Sequence, residues 1–170
     1  MASQAPPGCE GLLFHPYLLG ERAPYWDPKL KASFTGVAMH HGKEHFVRAV
    51  QEGVAFSLRD CCQLMDKLGF KVQEVKLGGG GAQGEQWSRV ISNVVGLPLQ
   101  KTKGDDSAVG AAILAGLAMQ FFASVEEAVQ STVVTDYVVQ PDPELTARYT
   151  RLFEEYQQIH NVLAPIYQAR

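Results

Sequence analysis

The sequence predicts an α/β protein in which helices pack on a β-sheet. Segments rich in β-branched residues alternate with segments whose apolar residues recur every three or four positions, as in strands and amphipathic helices. A run of glycines at 78–81 connects a predicted strand directly to a predicted helix. The 170 residues, 46% hydrophobic and 19% charged, suffice for one ordinary core and lack the composition of a disordered chain.

The first half of the chain predicts an ordered loop, a strand and a long helix. Residues 16–28 contain three prolines, which exclude a long helix or a central strand there. Residues 33–39 have the alternating, β-branched character of a strand. From residue 46 to residue 68 apolar side chains recur with a mean spacing of about 3.7. Gly69 follows where a left-handed C-terminal cap belongs.

The middle of the chain predicts the glycine turn and its two flanking elements. Residues 72–77 form the strand before the glycines, and the helix after them ends at Gly96. A short strand at 97–99 follows. Asp106 or Ser107 then caps a helix of small residues, which we expect to be an interior helix because small side chains allow close packing.

The C-terminal third carries clear capping signals. The segment 124–127 reads Ser-Val-Glu-Glu, which is a capping box, and valines at 133–139 indicate one more strand. Asp142 followed by Pro143 begins the last helix, which Pro165 is expected to end or kink.

Charge and composition exclude several classes of partner. The net charge is −3 and no block of like charge occurs, so neither nucleic acid nor an anionic membrane surface is an expected partner. Three cysteines form no CxxC pair, which fits a reducing compartment. The first residues lack a secretory signal, and the uncharged segment 108–123 is short for a membrane span. We therefore expect a cytoplasmic protein whose residues 1–10 are flexible.

The glycine run favours a nucleotide site, because backbone without Cβ atoms approaches a ligand closely and the following helix offers free N–H groups. No Lys-Ser or Lys-Thr follows, so the run is not a Walker loop. Gly79, Gly81 and Gly84 do fit GxGxxG. The next strand lacks the carboxylate that a dinucleotide site uses, so a Rossmann-type oxidoreductase is the alternative. The second alternative is a tight turn that binds no ligand, in a non-enzymatic truncated or interaction domain.

A set of motifs then occurs in one characteristic order. They are Gly11-Leu12-Leu13-Phe14, Gly20-Glu21-Arg22-Ala23-Pro24, Gly36-Val37, Gln51-Glu52-Gly53, Gly79-Gly80-Gly81-Ala82, Gly110-Ala111-Ala112 and Pro141-Asp142-Pro143. With this order the chain resembles the C-terminal part of an FGGY-type carbohydrate kinase, closest to the xylulokinase branch. The resemblance implies an actin-like, ribonuclease-H-like layered α/β domain, the C-terminal half of a two-domain sugar kinase. Residues 11–170 would form this domain in part, with its first strands missing.

The resemblance also implies a reaction, the transfer of the γ-phosphoryl group of ATP, with Mg²⁺, to a sugar hydroxyl, as in the conversion of D-xylulose to D-xylulose 5-phosphate. It assigns nucleotide binding to Gly36, Gly79, Gly80, Gly81, Ala82 and Glu85. The catalytic base is expected in the absent N-terminal half, so no catalytic residue is assigned. The sugar is then expected to bind only with that half, and the isolated chain to be inactive. A sheet edge left uncovered by the missing strands favours a homodimer.

Two further groups of side chains allow a functional and a structural interpretation. Glu21 and Arg22 could line a cleft, or could fix their loop to the sheet together with the aromatic residues that follow. His41 and His45 have the i,i+4 spacing of two metal ligands if the helix begins before His41. We expect these histidines, with His40, to be turn and first-turn residues, and we assign no metal site.

Overall fold

The computed structural model describes residues 1–78, 84–103 and 107–169, and strands alternate with helices along them. In chain order the elements are β1 (Leu13–His15), β2 (Ser33–Thr35), α1 (Lys43–Lys67), β3 (Val75–Leu77), α2 (Glu85–Val95), β4 (Leu99–Lys103), α3 (Ser107–Ala118), α4 (Val125–Thr132), β5 (Val134–Val139) and α5 (Pro143–Gln168). Short 3₁₀ turns at Ala2–Gln4 and Cys9–Gly11 precede them. The α/β class predicted from the sequence is confirmed.

The strands form two separate sheets within the described residues. β1 and β2 pair antiparallel, with Phe14 opposite Phe34. The second sheet has the order β3-β4-β5. β3 and β4 are parallel with Leu77 opposite Lys101, whereas β4 and β5 are antiparallel. A parallel pair requires a crossover connection, and α2 provides it, packing on β4 and β5 and against α1 and α5.

Helix α1 occupies the predicted segment and packs against β1 and α2. Gly69 has the left-handed φ of 91° that its cap position predicts. The buried face, however, is not the apolar stripe. Val50 is 38% exposed, whereas Glu52 and Asp60 are 1% and 5% exposed. Polar side chains can occupy a core when hydrogen bonds satisfy them, and hydrophobic spacing does not detect such positions.

The first ten residues pack against α1, which differs from the flexible segment that the sequence predicts. The carbonyl oxygen of Ala5 accepts a hydrogen bond of 3.0 Å from the Arg48 guanidinium. The backbone N–H of Gly8 donates to the Glu52 carboxylate at 2.9 Å. Buried backbone groups require such partners, so these two side chains of α1 hold the segment in place.

The last helix begins as predicted and continues past its proline. The Asp142 carboxylate accepts hydrogen bonds from the backbone N–H groups of Glu144 and Leu145 at 2.9 and 3.0 Å, which is the N-cap arrangement. Pro165 does not end α5, because the helix runs to Gln168. The aromatic stripe of α5 enters the main core, whose buried members are Leu13, Tyr17, Leu30, Ala55, Phe56, Val90, Ile91, Val94, Leu99, Tyr149, Phe153 and Tyr156.

Helix α3 is exposed, so the expectation of an interior helix is wrong for the described residues. None of its residues is buried, and Leu114 is 69% exposed. An alanine side chain at Gly110 would meet no atom within 4 Å. Its neighbour in the fold is α4, and one short helix cannot cover a helix that is apolar on every face. No helix of the described ranges combines the length and apolar character of a membrane span.

Candidate functional site

The glycine turn that carries the nucleotide prediction lies between β3 and α2. Gly79, Gly80, Gly81 and Ala82 are outside the described residues, and their assignment stays a prediction. Both flanks are described. β3 ends at Leu77, and α2 begins at Glu85 with an extended N-cap glycine before it. The strand and the helix therefore follow one another in the predicted order.

A cavity of about 630 Å³ opens at the start of α2, between α2, β4 and β5. Its lining residues are Glu85, Arg89, Lys101, Tyr137, Val138, Val139 and Gln140. The parallel register sets Lys101 beside Leu77, at the carboxyl end of β3. The antiparallel register sets Tyr137 opposite Lys101 on the other side. We call this space the α2 cavity.

Cationic groups dominate the polar wall of the α2 cavity. The Lys101 ammonium lies 5.3 Å from the centre of the Tyr137 ring and 3.9 Å from the Asp136 carboxylate. Arg89 bonds to Glu85 one turn earlier at 2.8 Å, with both side chains largely exposed. Such a pair is held weakly in water, so the guanidinium can turn to an anion. The cavity therefore presents two cations and one aromatic face beside a helix start.

This wall suits an adenine nucleotide better than it suits a magnesium ion. The cations and the free N–H groups of the first turn of α2 attract phosphate, and the tyrosine ring offers a stacking face. Mg²⁺ requires oxygen ligands, and among the described lining residues Glu85 carries the one carboxylate. That carboxylate is paired with Arg89. Of the predicted nucleotide-binding residues that the structure describes, Glu85 lies here and Gly36 does not; Arg89, Lys101 and Tyr137 were not predicted.

Gly36 lies just after the last strand of the other sheet and has a packing role. It follows β2 with a φ of 79°, and a Cβ atom there would lie 2.4 Å from the carbonyl oxygen of Gly11. Both conditions require glycine. Gly36 does not line the α2 cavity, so the structure does not bring it together with Glu85, and its predicted nucleotide contact remains a prediction.

The loop before β2 forms a second cavity, of about 490 Å³, lined by Leu19, Gly20, Glu21, Arg22, Trp26 and Pro28. Glu21 turns back into its own loop, where its carboxylate accepts hydrogen bonds from the backbone N–H of Arg22 at 2.8 Å and the Ser57 hydroxyl at 3.4 Å. Arg22 and Trp26 are exposed at the cavity wall. Of the two predicted cleft residues, Arg22 thus faces solvent and Glu21 shapes the loop.

Tyr25 anchors this loop to α1 and α5. Its ring stacks on His160 with centroids 3.7 Å apart, and its hydroxyl donates to the Asp60 carboxylate at 2.5 Å. Burial, and then the hydrogen bond to Asp60, raise the pKa of Tyr25, so the phenol stays protonated. Burial also lowers the pKa of His160. Tyr25 and Glu21 thus fix the loop, and the cleft role predicted for Glu21 and Arg22 stays a prediction.

Comparison with known proteins places this geometry in a family. The sequence profile described as "FGGY family of carbohydrate kinases, C-terminal domain" matches residues 1–119. Over 161 residues the chain is 32% identical to xylulose kinase of Staphylococcus epidermidis. The aligned region covers 94% of this chain and 32% of that protein. The chain therefore belongs to the FGGY family of carbohydrate kinases. It spans about a third of the length of the curated relative.

Solved structures of the family share the fold. The structure of ligand-bound xylulose kinase from Lactobacillus acidophilus has a TM-score of 0.91 and 34% identity, covering 99% of this chain and 34% of that chain. Gluconate kinase from the same organism has the same TM-score, identity and coverage. The fold is thus that of the actin-like C-terminal domain of FGGY sugar kinases, as the sequence predicts. The domain boundaries predicted at residues 11 and 170 stay predictions.

Proposed function

We propose that this chain is the adenine-nucleotide-binding portion of a carbohydrate kinase that transfers the γ-phosphoryl group of ATP to a sugar hydroxyl. D-xylulose is the proposed acceptor and D-xylulose 5-phosphate the product. The observation that carries the proposal is the α2 cavity, where two cations lie at the start of the helix that follows the glycine-rich segment in the sequence. Xylulose kinases among the relatives support the choice of sugar.

The residues of the α2 cavity bind and orient the nucleotide in this proposal. Lys101 and Arg89 neutralise phosphate charge, and the N–H groups at the start of α2 donate to phosphate oxygens. The Tyr137 ring packs on a flat face of the nucleotide. Mg²⁺, when bound, neutralises charge that develops on the transferred group. Phosphoryl transfer also requires a group that positions the attacking hydroxyl, and no described residue of the cavity is assigned that role.

D-gluconate is the second candidate acceptor, because a gluconate kinase structure matches this chain as well as a xylulose kinase structure does. The oxidoreductase alternative lacks support, since β5 is antiparallel to β4 whereas a Rossmann sheet is mostly parallel. The comparisons do not support the non-enzymatic interaction domain either. A homodimer and a cytoplasmic location stay predictions.

Calorimetric titration with ADP tests the nucleotide site. We expect ADP to bind the 170-residue chain and NADH not to bind. Lys101→Met is expected to weaken ADP binding by about ten- to a hundredfold, because a hydrogen bond to a charged group contributes about 1.5–3 kcal/mol and each 1.4 kcal/mol is tenfold in affinity. Lys76→Met is the matched control, since Lys76 lies on the neighbouring strand and does not line the cavity.

The titration contradicts the proposal if ADP fails to bind, or if Lys101→Met and Lys76→Met weaken ADP binding equally. A separate assay measures ADP release with D-xylulose or D-gluconate as acceptor. We expect no turnover by this chain alone, because the positioning group for the sugar is proposed to come from another part of the enzyme. Turnover of either sugar by the chain alone would contradict that division of the active site.

A further inference from the structure

A cluster of three histidines and one glutamate surrounds the N-terminal end of α1, and none of its members lines either cavity. Glu10 belongs to the 3₁₀ turn Cys9–Gly11. His40 and His41 precede α1, and His45 lies in its first turn. Three imidazoles and a carboxylate from two distant segments thus lie around one end of α1, with Glu10 as the shared neighbour of His40 and His45.

Two distances from Glu10 within this cluster have the length found between ligand atoms of one metal ion. The same Oε2 atom of Glu10 lies 3.3 Å from His40 Nε2 and 3.5 Å from His45 Nε2. Ligand atoms of Glu10, His40 and His41 all lie within 4.8 Å of one another. Tetrahedral zinc with bonds of about 2.0–2.2 Å separates its ligand atoms by about 3.3–3.6 Å. Two of the observed separations already have this length.

The ring of His41 carries a polar atom that the protein leaves unpaired. Its Nδ1 accepts a hydrogen bond of 3.0 Å from the backbone N–H of Ala38. Its Nε2 is buried and has no hydrogen-bond partner within the described residues. A buried polar atom without a partner is unfavourable. Coordination through Nε2 would satisfy it, with the ring proton moving to Nδ1 and the exposed Ala38 N–H turning to water.

His45 has a neighbour that would support coordination. The Oε1 atom of Glu44 lies 3.4 Å from His45 Nδ1. A carboxylate that accepts the Nδ1 proton fixes the ring so that Nε2 faces a metal, which is the usual arrangement around metal-bound histidines. In the metal-free protein His45 Nδ1 instead accepts from the Gly42 N–H at 3.1 Å. On metal binding, His45 Nδ1 would give up the Gly42 N–H as its partner and donate to the Glu44 carboxylate instead.

We propose that Glu10, His40, His41 and His45 bind one divalent transition-metal cation, for which Zn²⁺ is the probe. Imidazole nitrogen with carboxylate oxygen is a donor set that suits zinc and its neighbours in the first row. The cation joins the N-terminal turn to the start of α1 and so stabilises the folded state. This site is independent of the proposed kinase function.

Titration of the 170-residue chain with Zn²⁺, followed by calorimetry and by the thermal transition, tests the site. We expect one Zn²⁺ per chain and a rise in the melting temperature. Glu10→Gln, His40→Gln and His41→Gln are each expected to weaken Zn²⁺ at least tenfold, because each removes a ligand. Glu155→Gln is the matched control on the exposed face of α5, and it leaves binding unchanged.

Two controls separate this site from thiol binding. Cys61 and Cys62 are free cysteines on α1, and thiolates bind zinc. The double variant Cys61→Ser/Cys62→Ser retains one Zn²⁺ if the proposal is right, and Co²⁺ in this variant gives a tetrahedral spectrum without a thiolate charge-transfer band. Absence of binding overturns the proposal. So does binding that survives Glu10→Gln and His40→Gln, or binding that disappears in the cysteine variant.

Discussion

Gly53 offers a test of the close contact between α1 and β1, because alanine should have opposite effects at two helical glycines. A Cβ atom on Gly53 would lie 2.1 Å from the carbonyl oxygen of Phe14 and 3.0 Å from its carbonyl carbon. Ordinary contact between carbon and a carbonyl oxygen begins at about 3.3 Å. The helix and the strand backbone must therefore separate by about 1 Å, and neither is a flexible side chain that could move aside.

The expected magnitude follows from two opposing contributions. Alanine in place of glycine within a helix gains about 1 kcal/mol, and overpacking a well-packed core costs about 1–3 kcal/mol, with backbone contacts at the upper end. We expect Gly53→Ala to lower the free energy of unfolding by about 2 kcal/mol. Gly110→Ala is the control, since a Cβ atom there meets nothing within 4 Å. It should raise that free energy by about 0.5–1 kcal/mol.

Urea unfolding followed by far-ultraviolet circular dichroism measures both variants. If Gly53→Ala unfolds at the same urea concentration as the parent chain, or at a higher one, α1 does not approach β1 as closely as described. A Gly53→Ala chain that fails to fold agrees in direction, and Gly110→Ala still reports whether a helical glycine in open space behaves as expected.

Two further predictions concern buried polar groups. Glu52→Ala should lower the free energy of unfolding by about 3–5 kcal/mol, because it leaves the Arg48 guanidinium buried without the carboxylate 2.7 Å away. Urea unfolding measures this loss, with Glu155→Ala as the control. A loss under about 1 kcal/mol contradicts the prediction. Burial lowers the pKa of His15 below its ordinary 6.5, so the unfolded chain takes up the proton first and stability falls as pH drops below 6.5. Urea unfolding at several pH values should show that the free energy of unfolding falls less with decreasing pH in His15→Phe than in the parent chain. An equal fall in both proteins would mean that groups other than His15 cause it.

The candidate site was predicted from the sequence only where its signals were local. The strand, glycines and helix around residues 72–96 predict a ligand site, and the family resemblance adds Glu85 to it. Lys101 and Tyr137 were missed because their places depend on which strands pair. The parallel register brings Lys101 beside Leu77, and the antiparallel register brings Tyr137 opposite Lys101. Sequence spacing alone does not specify either pairing.

Buried polar contacts show the same limit in the core. Hydrophobic spacing identifies α1 as a helix but not its buried face, since Glu52 is buried by partners 44 and 97 positions away, the Gly8 N–H and the Tyr149 hydroxyl. In α3 the error is the reverse. Its apolar composition predicts an interior helix, yet burial depends on whether another element covers it.

The amino-acid sequence by itself determined the order of strands and helices after β1, the caps at Gly69, Gly96, Ser124 and Asp142, and the family. Those features depend on interactions within about four residues or on motifs read along the chain. Only the tertiary structure decided that Glu10 meets His40, that Lys101 lines a cavity and that α3 is exposed. Such contacts join residues distant in sequence, and their free energy depends on partners that no local pattern records.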